Sequence, residues 1–323
     1  MTGGSEFLRA ARKVKIVTHV DPDGDALGSA LGLAWILEAA GKEARVHLPA
    51  PLPRLYGFLP GAKFLVIGET MMESFDRVAI VDCTSPSRLG PIADTALAGA
   101  VVLNVDHHAD NTRFGDVVHV DPAAAATAIL IADIAREAGL KIGPEAAECL
   151  YTGILTDTGR FTFANTDERA LHGAAELVRD GADPGKIASL VYENRPASTL
   201  RLLGRALETL DLREDGRVAC LHVTREMIAE TGALPEETEG FAAYARSLQG
   251  VQVGIFLRET EDGSIKASFR STGGLPVDGI ASQFAGGGHP AAAGARLSGP
   301  LETAKERILR AVSEHLQART GSS

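Results

Sequence analysis

The chain's 323 residues exceed the length at which one hydrophobic core keeps growing, so two domains are expected. A formal charge of −10, from 42 acidic against 32 basic side chains, excludes a protein that coats long nucleic acid by charge, although carboxylates can still take a small phosphorylated ligand through divalent cations. There is no apolar run long enough to span a membrane and no leader-like N-terminus, which predicts a cytoplasmic chain without a membrane partner, and three scattered cysteines are too few for a disulfide framework.

In chain order, Lys13 to Thr18 is a strand candidate and Ala26 to Ala39 an apolar helix closed by Gly41. Between them, HVDPDGD sets His19, Asp21, Asp23 and Asp25 on a strand-to-helix turn, more ligand-type side chains than an N-cap requires. Arg45 to Leu48 reads as a second strand and Pro49 to Pro60 as a crossing loop. Arg77 to Val81 and Val101 to Val105 have the β-branched content of buried strands; the first ends in Asp82, the second in Asp106, His107 and His108. Open α/β sheets place ligands just outside the carboxyl ends of their strands, and His with Asp is a donor set for first-row metals. A short strand near Val117 to Val120 and a helix from Thr127 to Glu137 follow. A further helix begins at Pro144 and carries Asp157 to its end, where the TGRF turn presents Arg160, a cation suited to bidentate phosphate contact. Thr166 to Arg179 and Pro184 to Tyr192 complete the helices of this half.

The second half changes grammar. Thr209 to Arg213 with Arg217 to Val223, and Val251 to Glu259 with Ser264 to Arg270, read as β-hairpins about Asp-Gly turns, with helices near Arg225 to Glu230, Val277 to Phe284 and Leu301 to Leu316. The expected architecture is therefore α/β: a parallel-sheet domain over residues 1–190, a helical linker over 191–205, and a smaller α+β domain over 206–323. The chemical stretch of the second domain is FAGGGHPAAAGA, where Gly286, Gly287 and Gly288 leave backbone N–H groups open as an anion nest and His289 stands beside them as a donor; Arg270 and Ser271 follow a strand and could reach the same ligand. Tight packing of two backbones is the competing role for those glycines.

Grouped together, the carboxylates would repel and resist desolvation unless divalent cations lay among them. The mixed oxygen and imidazole set, without thiolate, suits two divalent ions, Mn²⁺ first, with Mg²⁺, Co²⁺ and Fe²⁺ as the other candidates. Asp82 or Asp157, each alone on its element, could bridge such a pair, and the chemistry that follows is phosphoester hydrolysis.

HVDPDGD, the end of VAIVD, VDHH and TDTGRF resemble, in order and spacing, the motifs of the DHH phosphoesterases, and GGGHPAAAG resembles the signature of the associated DHHA1 domain. The resemblance covers nearly the whole chain and leaves Asp21 at a variable position. It implies one metal held by His19, Asp23, Asp82 and Asp157 and another by Asp25, Asp82, His107 and Asp157, with Asp106 steadying the His107 imidazole and His108 turned to the substrate phosphate. Arg270, Gly287, Gly288 and His289 would clamp the far end of the substrate across an interdomain cleft. Length, two-domain layout and the ENRP linker look like the NrnA type, which implies short RNA or dinucleotides and pAp as substrates; a cyclic di-AMP or pApA phosphodiesterase and a non-catalytic nucleotide sensor are the alternatives. Phe161, Phe163, Tyr192 and Phe269 are candidates for base stacking, with core packing as the competing role, and a homodimer is left open.

Overall fold

The computed structural model describes residues 2–68, 74–93, 97, 100–272 and 275–320. The chain divides into two units, Met1–Asn194 and Arg195–Ser323. In the first, strands β1 (Lys13–Val17), β2 (Glu43–Leu48), β3 (Leu65–Ile67), β4 (Arg77–Val81), β5 (Val101–Asp106) and β6 (Val117–Val120) form one sheet of order β3-β2-β1-β4-β5-β6. Every pairing is parallel. The order reverses between β1 and β4, the point where a doubly wound sheet opens a crevice at its carboxyl edge. Val17 lies opposite Ile80, and Val81 opposite Val105. The residues just beyond these pairs, His19, Asp82 and Asp106, therefore emerge side by side.

The strands are apolar on both faces because both faces are covered. On one, Val14, Ile16, Ala79, Val81, Leu103 and Val105 pack into the main core; on the other, Val17, Val78, Ile80 and Val102 join Leu89 and Ile92. The main core takes its helical side from α1 (Gly3–Ala10), α2 (Gly24–Ala39), α3 (Thr127–Glu137), α4 (Pro144–Asp157), α5 (Glu168–Asp180) and α6 (Pro184–Tyr192). α2 is buried nearly all round and lies against α4 closely enough that a side-chain carbon on Gly28 would run into the Cys149 carbonyl. Helix α1 and strand β3 were not expected from the sequence.

The segment expected as a linker is shared out differently. α6 ends at Tyr192, and α7 (Ala197–Glu208) puts Leu202, Leu203 and Ala206 into the core of the second unit. That unit holds β7 (Asp211–Arg213), β8 (Val218–Val223), β9 (Val253–Glu259), β10 (Ser264–Ser271), β11 (Gly287–His289) and β12 (Ala292–Ser298), in the order β11-β12-β10-β9-β8-β7. Both expected hairpins, β7–β8 and β9–β10, are antiparallel pairs. α7 and α9 (Phe241–Arg246), with α8 (Arg225–Thr231) beside them, cover one face; α10 (Asp278–Ser282) and α11 (Leu301–Thr320) cover the other. Among the described residues no helix is long and apolar enough to cross a membrane.

Candidate active site

The carboxyl ends of β1, β4 and β5 meet the N-termini of α2 and α3 and the C-terminus of α4, and the sequence-predicted ligands of the first unit converge there. Their donor atoms form three groups, His19 with Asp23 and Asp82, Asp25 with His107 and Asp157, and Asp82 with His107 and His108; within each group the atoms lie within 4.8 Å of one another. Asp82 belongs to two of them. Its Oδ2 lies 3.7 Å from His19 Nε2, while its Oδ1 lies 3.7 Å from both His107 Nε2 and His108 Nδ1. The two oxygens of one carboxylate thus face different imidazoles, which is the disposition of a bridging ligand.

Each donor is held by backbone geometry. Asp23 caps α2, its Oδ1 accepting the N–H groups of Asp25 and Ala26 at 3.0 and 3.1 Å. Asp82 occupies the left-handed region at φ 55°, and its N–H donates to the Val105 carbonyl at 2.9 Å, which ties the turn after β4 to β5. His107 is buried, with Nδ1 3.1 Å from the Ala124 carbonyl and Nε2 3.2 Å from Asp157 Oδ2. A proton on Nδ1 would leave Nε2 as the metal-binding nitrogen.

The electrostatics ask for positive charge. Burial pushes the Asp25 carboxyl well above its usual range, and the neighbouring charges of Asp82 and Asp157 add to the shift. Burial works in the same sense on Asp82, yet the surrounding imidazoles of His19, His108 and His107 hold it below the usual range. These opposite shifts mark a pocket in which burial and mutual repulsion work against several ionised carboxylates and cations favour them. Imidazole nitrogens and carboxylate oxygens, with no thiolate among them, form a buried cluster able to coordinate divalent metal ions.

The role expected of Asp106 needs correction. Its Oδ1 accepts the backbone N–H groups of His107 and His108 at 2.8 and 3.3 Å and lies 2.8 Å from the Nδ1 of His108, whereas the His107 ring is steadied by the Ala124 carbonyl. Asp106 therefore orients His108. Against the cost of burial, this contact and the charges of Asp82 and Asp157 raise the His108 imidazole to about 10. At the end of α4, Gly159, Arg160 and Phe161 all take left-handed conformations, with φ of 54°, 63° and 60°. The exposed Arg160 guanidinium sits 4.5 Å above the Tyr192 ring.

The glycine stretch of the second unit also differs from expectation. It is not an open loop: Gly287 to His289 form edge strand β11, paired with β12. A side-chain carbon on Gly286 would meet the Gly294 carbonyl, and one on Gly288 would come within 2.6 Å of the Ala292 carbonyl, so these glycines permit two backbones to pack. Ser271 is buried and donates its hydroxyl to the Pro290 carbonyl at 3.1 Å, which anchors the β11–β12 turn. Arg270, half-buried on β10, donates to the Phe269 carbonyl at 2.9 Å. The His289 side chain lies outside the described residues. Phe269 is fully buried, so it packs the core and offers no face to a base.

The sequence profile of the DHH family, N-terminal domain, matches residues 13–154, and that of the DHHA1 domain matches residues 217–318. The bifunctional oligoribonuclease and PAP phosphatase NrnA of Thermus thermophilus is 40% identical over 97% of this chain and 93% of that protein. The chain belongs to the DHH/DHHA1 phosphoesterase family. Another protein of the same description, from Bacillus subtilis, is 30% identical over 86% of this chain and 87% of its own length. The crystal structure of an exopolyphosphatase-related protein from Bacteroides fragilis superposes with a TM-score of 0.87 at 30% identity, covering 97% of this chain and 94% of that one.

This DHH/DHHA1 protein is thus NrnA-like and a metal-dependent phosphoesterase, and its family motifs coincide with the clustered donors. Two of its site residues escaped the sequence reading. Asn111 donates its amide to Asp106 Oδ2 at 2.6 Å and to Asn104 Oδ1 at 2.9 Å, holding the carboxylate that holds His108. Thr127 donates its N–H to Asp25 and its hydroxyl to Asp82. A faint signal for the first was its place in DHHADN; for the second there was none, since the residue before it is alanine and nothing local marks a cap.

Proposed function

We propose that this chain uses two Mn²⁺ ions to hydrolyse short oligonucleotides to mononucleotides and pAp to AMP. The observation that carries this reading is Asp82, whose two oxygens face the His19/Asp23 group and the His107/His108 group. His19, Asp23 and Asp82 would hold one ion and Asp25, His107 and Asp157 the other, with Asp82 and Asp157 shared. Divalent ions bound there would supply Lewis acidity at phosphorus and a nucleophilic water at neutral pH.

The remaining steps belong to the protein. His108, oriented by Asp106, would donate to a phosphate oxygen as negative charge develops on it. Arg160, stacked on Tyr192, would take a second phosphate oxygen. The identity to relatives described as oligoribonucleases and PAP phosphatases supports the choice of substrates.

Initial rates with Mn²⁺ on pAp, pApA, cyclic di-AMP, pyrophosphate and RNA of graded length from the dinucleotide upward test the proposal. Release of mononucleotide from dinucleotides and of AMP from pAp is expected. Asp82→Ala and Asp157→Ala should abolish both and leave the circular dichroism spectrum unchanged; full activity in either variant would sink the assignment.

A further inference from the structure

Helix α3 begins without a local cap. Its N-cap residue is Ala126, whose side chain accepts nothing, so the first N–H groups of the helix need acceptors from elsewhere. Asp25 supplies them: Oδ2 accepts from Thr127 N at 2.6 Å and Oδ1 from Ala128 N at 3.0 Å. The Thr127 hydroxyl has a different destination. Thr152, Thr156 and Thr158, which lie late in α4 or just after it, bond back to carbonyls of their own helix. Thr127 stands at the first position of its helix, with no preceding turn to bond, and its Oγ1 donates to Asp82 Oδ1 at 2.8 Å. Its side chain is wholly buried, so water does not compete for that proton.

We infer that Thr127 is a positioning residue that fixes Asp25 through its backbone N–H and Asp82 through its hydroxyl, so that one residue sets both carboxylates for metal binding. This rests on the reading of the cluster as a metal site. The hydroxyl occupies one lone pair of Asp82 Oδ1, the oxygen that lies 3.7 Å from the imidazoles of both His107 and His108, and leaves the other free to take a metal. Thr127→Val removes the hydroxyl bond and spares the backbone bond to Asp25, which separates the two contributions.

The test titrates Mn²⁺ alone into chelator-stripped full-length protein by calorimetry and records thermal unfolding with and without Mn²⁺. Thr127→Val, nearly the same shape, should weaken Mn²⁺ binding by roughly 10–100-fold, the usual cost of losing a partner of a ligand. Thr127→Ser should stay within a few-fold of the parent protein. A merely structural threonine would lower the melting temperature equally in both conditions, whereas a positioning residue reduces the increment that Mn²⁺ adds. If Thr127→Val does not fold, Thr127→Ala carries the same comparison. Parent-like Mn²⁺ affinity in the folded variant lacking the hydroxyl, or a Thr127→Ser loss as large as its own, overturns the inference alone. Absence of Mn²⁺ binding by the parent protein overturns the metal site with it.

Discussion

A single methyl group at position 153 should separate stability from activity. Gly153 lies on α4 where it faces α2 and α3, and a side-chain carbon there would sit 2.6 Å from Asp25 Oδ1 and 2.8 Å from the Ala128 side chain. Apolar contacts normally settle at about 3.5–4.0 Å, so the neighbours would have to yield by roughly 1 Å. Asp25 has no slack to give, since Ser29 Oγ at 3.2 Å and the N–H groups of Thr127 and Ala128 hold it. In Gly153→Ala, overpacking of about 1–3 kcal/mol is partly offset by about 0.5–1 kcal/mol of helix preference for alanine. A net loss of about 1–2 kcal/mol in a unit of this size lowers the melting temperature by about 2–8 °C. Displacing Asp25 by that distance should cost far more in turnover, on the order of 100-fold. Gly173→Ala is the control, because its new carbon would find Ile154 and Ile129 at ordinary distances of 3.7 and 3.8 Å and should stabilise the chain slightly. Differential scanning calorimetry, Mn²⁺ calorimetry and steady-state rates on a dinucleotide would read all three effects. Parent-like Mn²⁺ affinity and turnover in Gly153→Ala would refute the claim that α4 sets the position of Asp25.

Two further predictions follow from individual side chains. His107→Ala should lose a metal ion, measured by calorimetric stoichiometry, whereas His108→Ala should retain most metal affinity and lose rate; equal binding of two metals by both would show the pair to be wrongly divided. In the second unit, Asp211 is hydrogen-bonded to Arg213 and, at 2.9 Å, to the buried Lys305, and these hold its carboxyl down to about 2. A carboxyl depressed by folding stabilises the chain above its unfolded value of about 3.9 and loses that contribution as pH falls through the folded one. The melting-temperature gap between parent and Asp211→Asn should therefore shrink as pH is lowered from about 4 to about 2; a constant gap would argue that the pair contributes nothing through charge.

Much of the first unit was legible because its signals are local. Arg77–Val81 and Val117–Val120 are apolar strands at the expected bounds, and α3 and α4 begin and end at the expected residues. What escaped was tertiary. Ala126 gives no hint of what caps the helix that follows it, because the cap is Asp25, brought from α2. The partner of Asp106 depended on which ring turned back toward it after β5, and adjacency in sequence could not distinguish His107 from His108. Strands β11 and β12 are rich in glycine and alanine, residues of low strand propensity, and they pair because a sheet edge is there to receive them. The clustered imidazoles and carboxylates were recognisable through residue type and spacing, while the groups that orient them were not, since a backbone carbonyl or an alanine-flanked threonine carries no chemical signature.

The donors that meet at the carboxyl edge of the first sheet come from residues as far apart as His19 and Asp157, delivered by three strands and by the ends of two helices. A parallel sheet cannot assemble such a set by local hairpins, since each pairing waits for a crossover to close. Metal affinity would therefore belong to the docked unit as a whole. A divalent ion would act as the final cross-link of the fold as well as the agent of its chemistry, converting a cluster of repelling carboxylates into a clasp that strengthens with ion concentration.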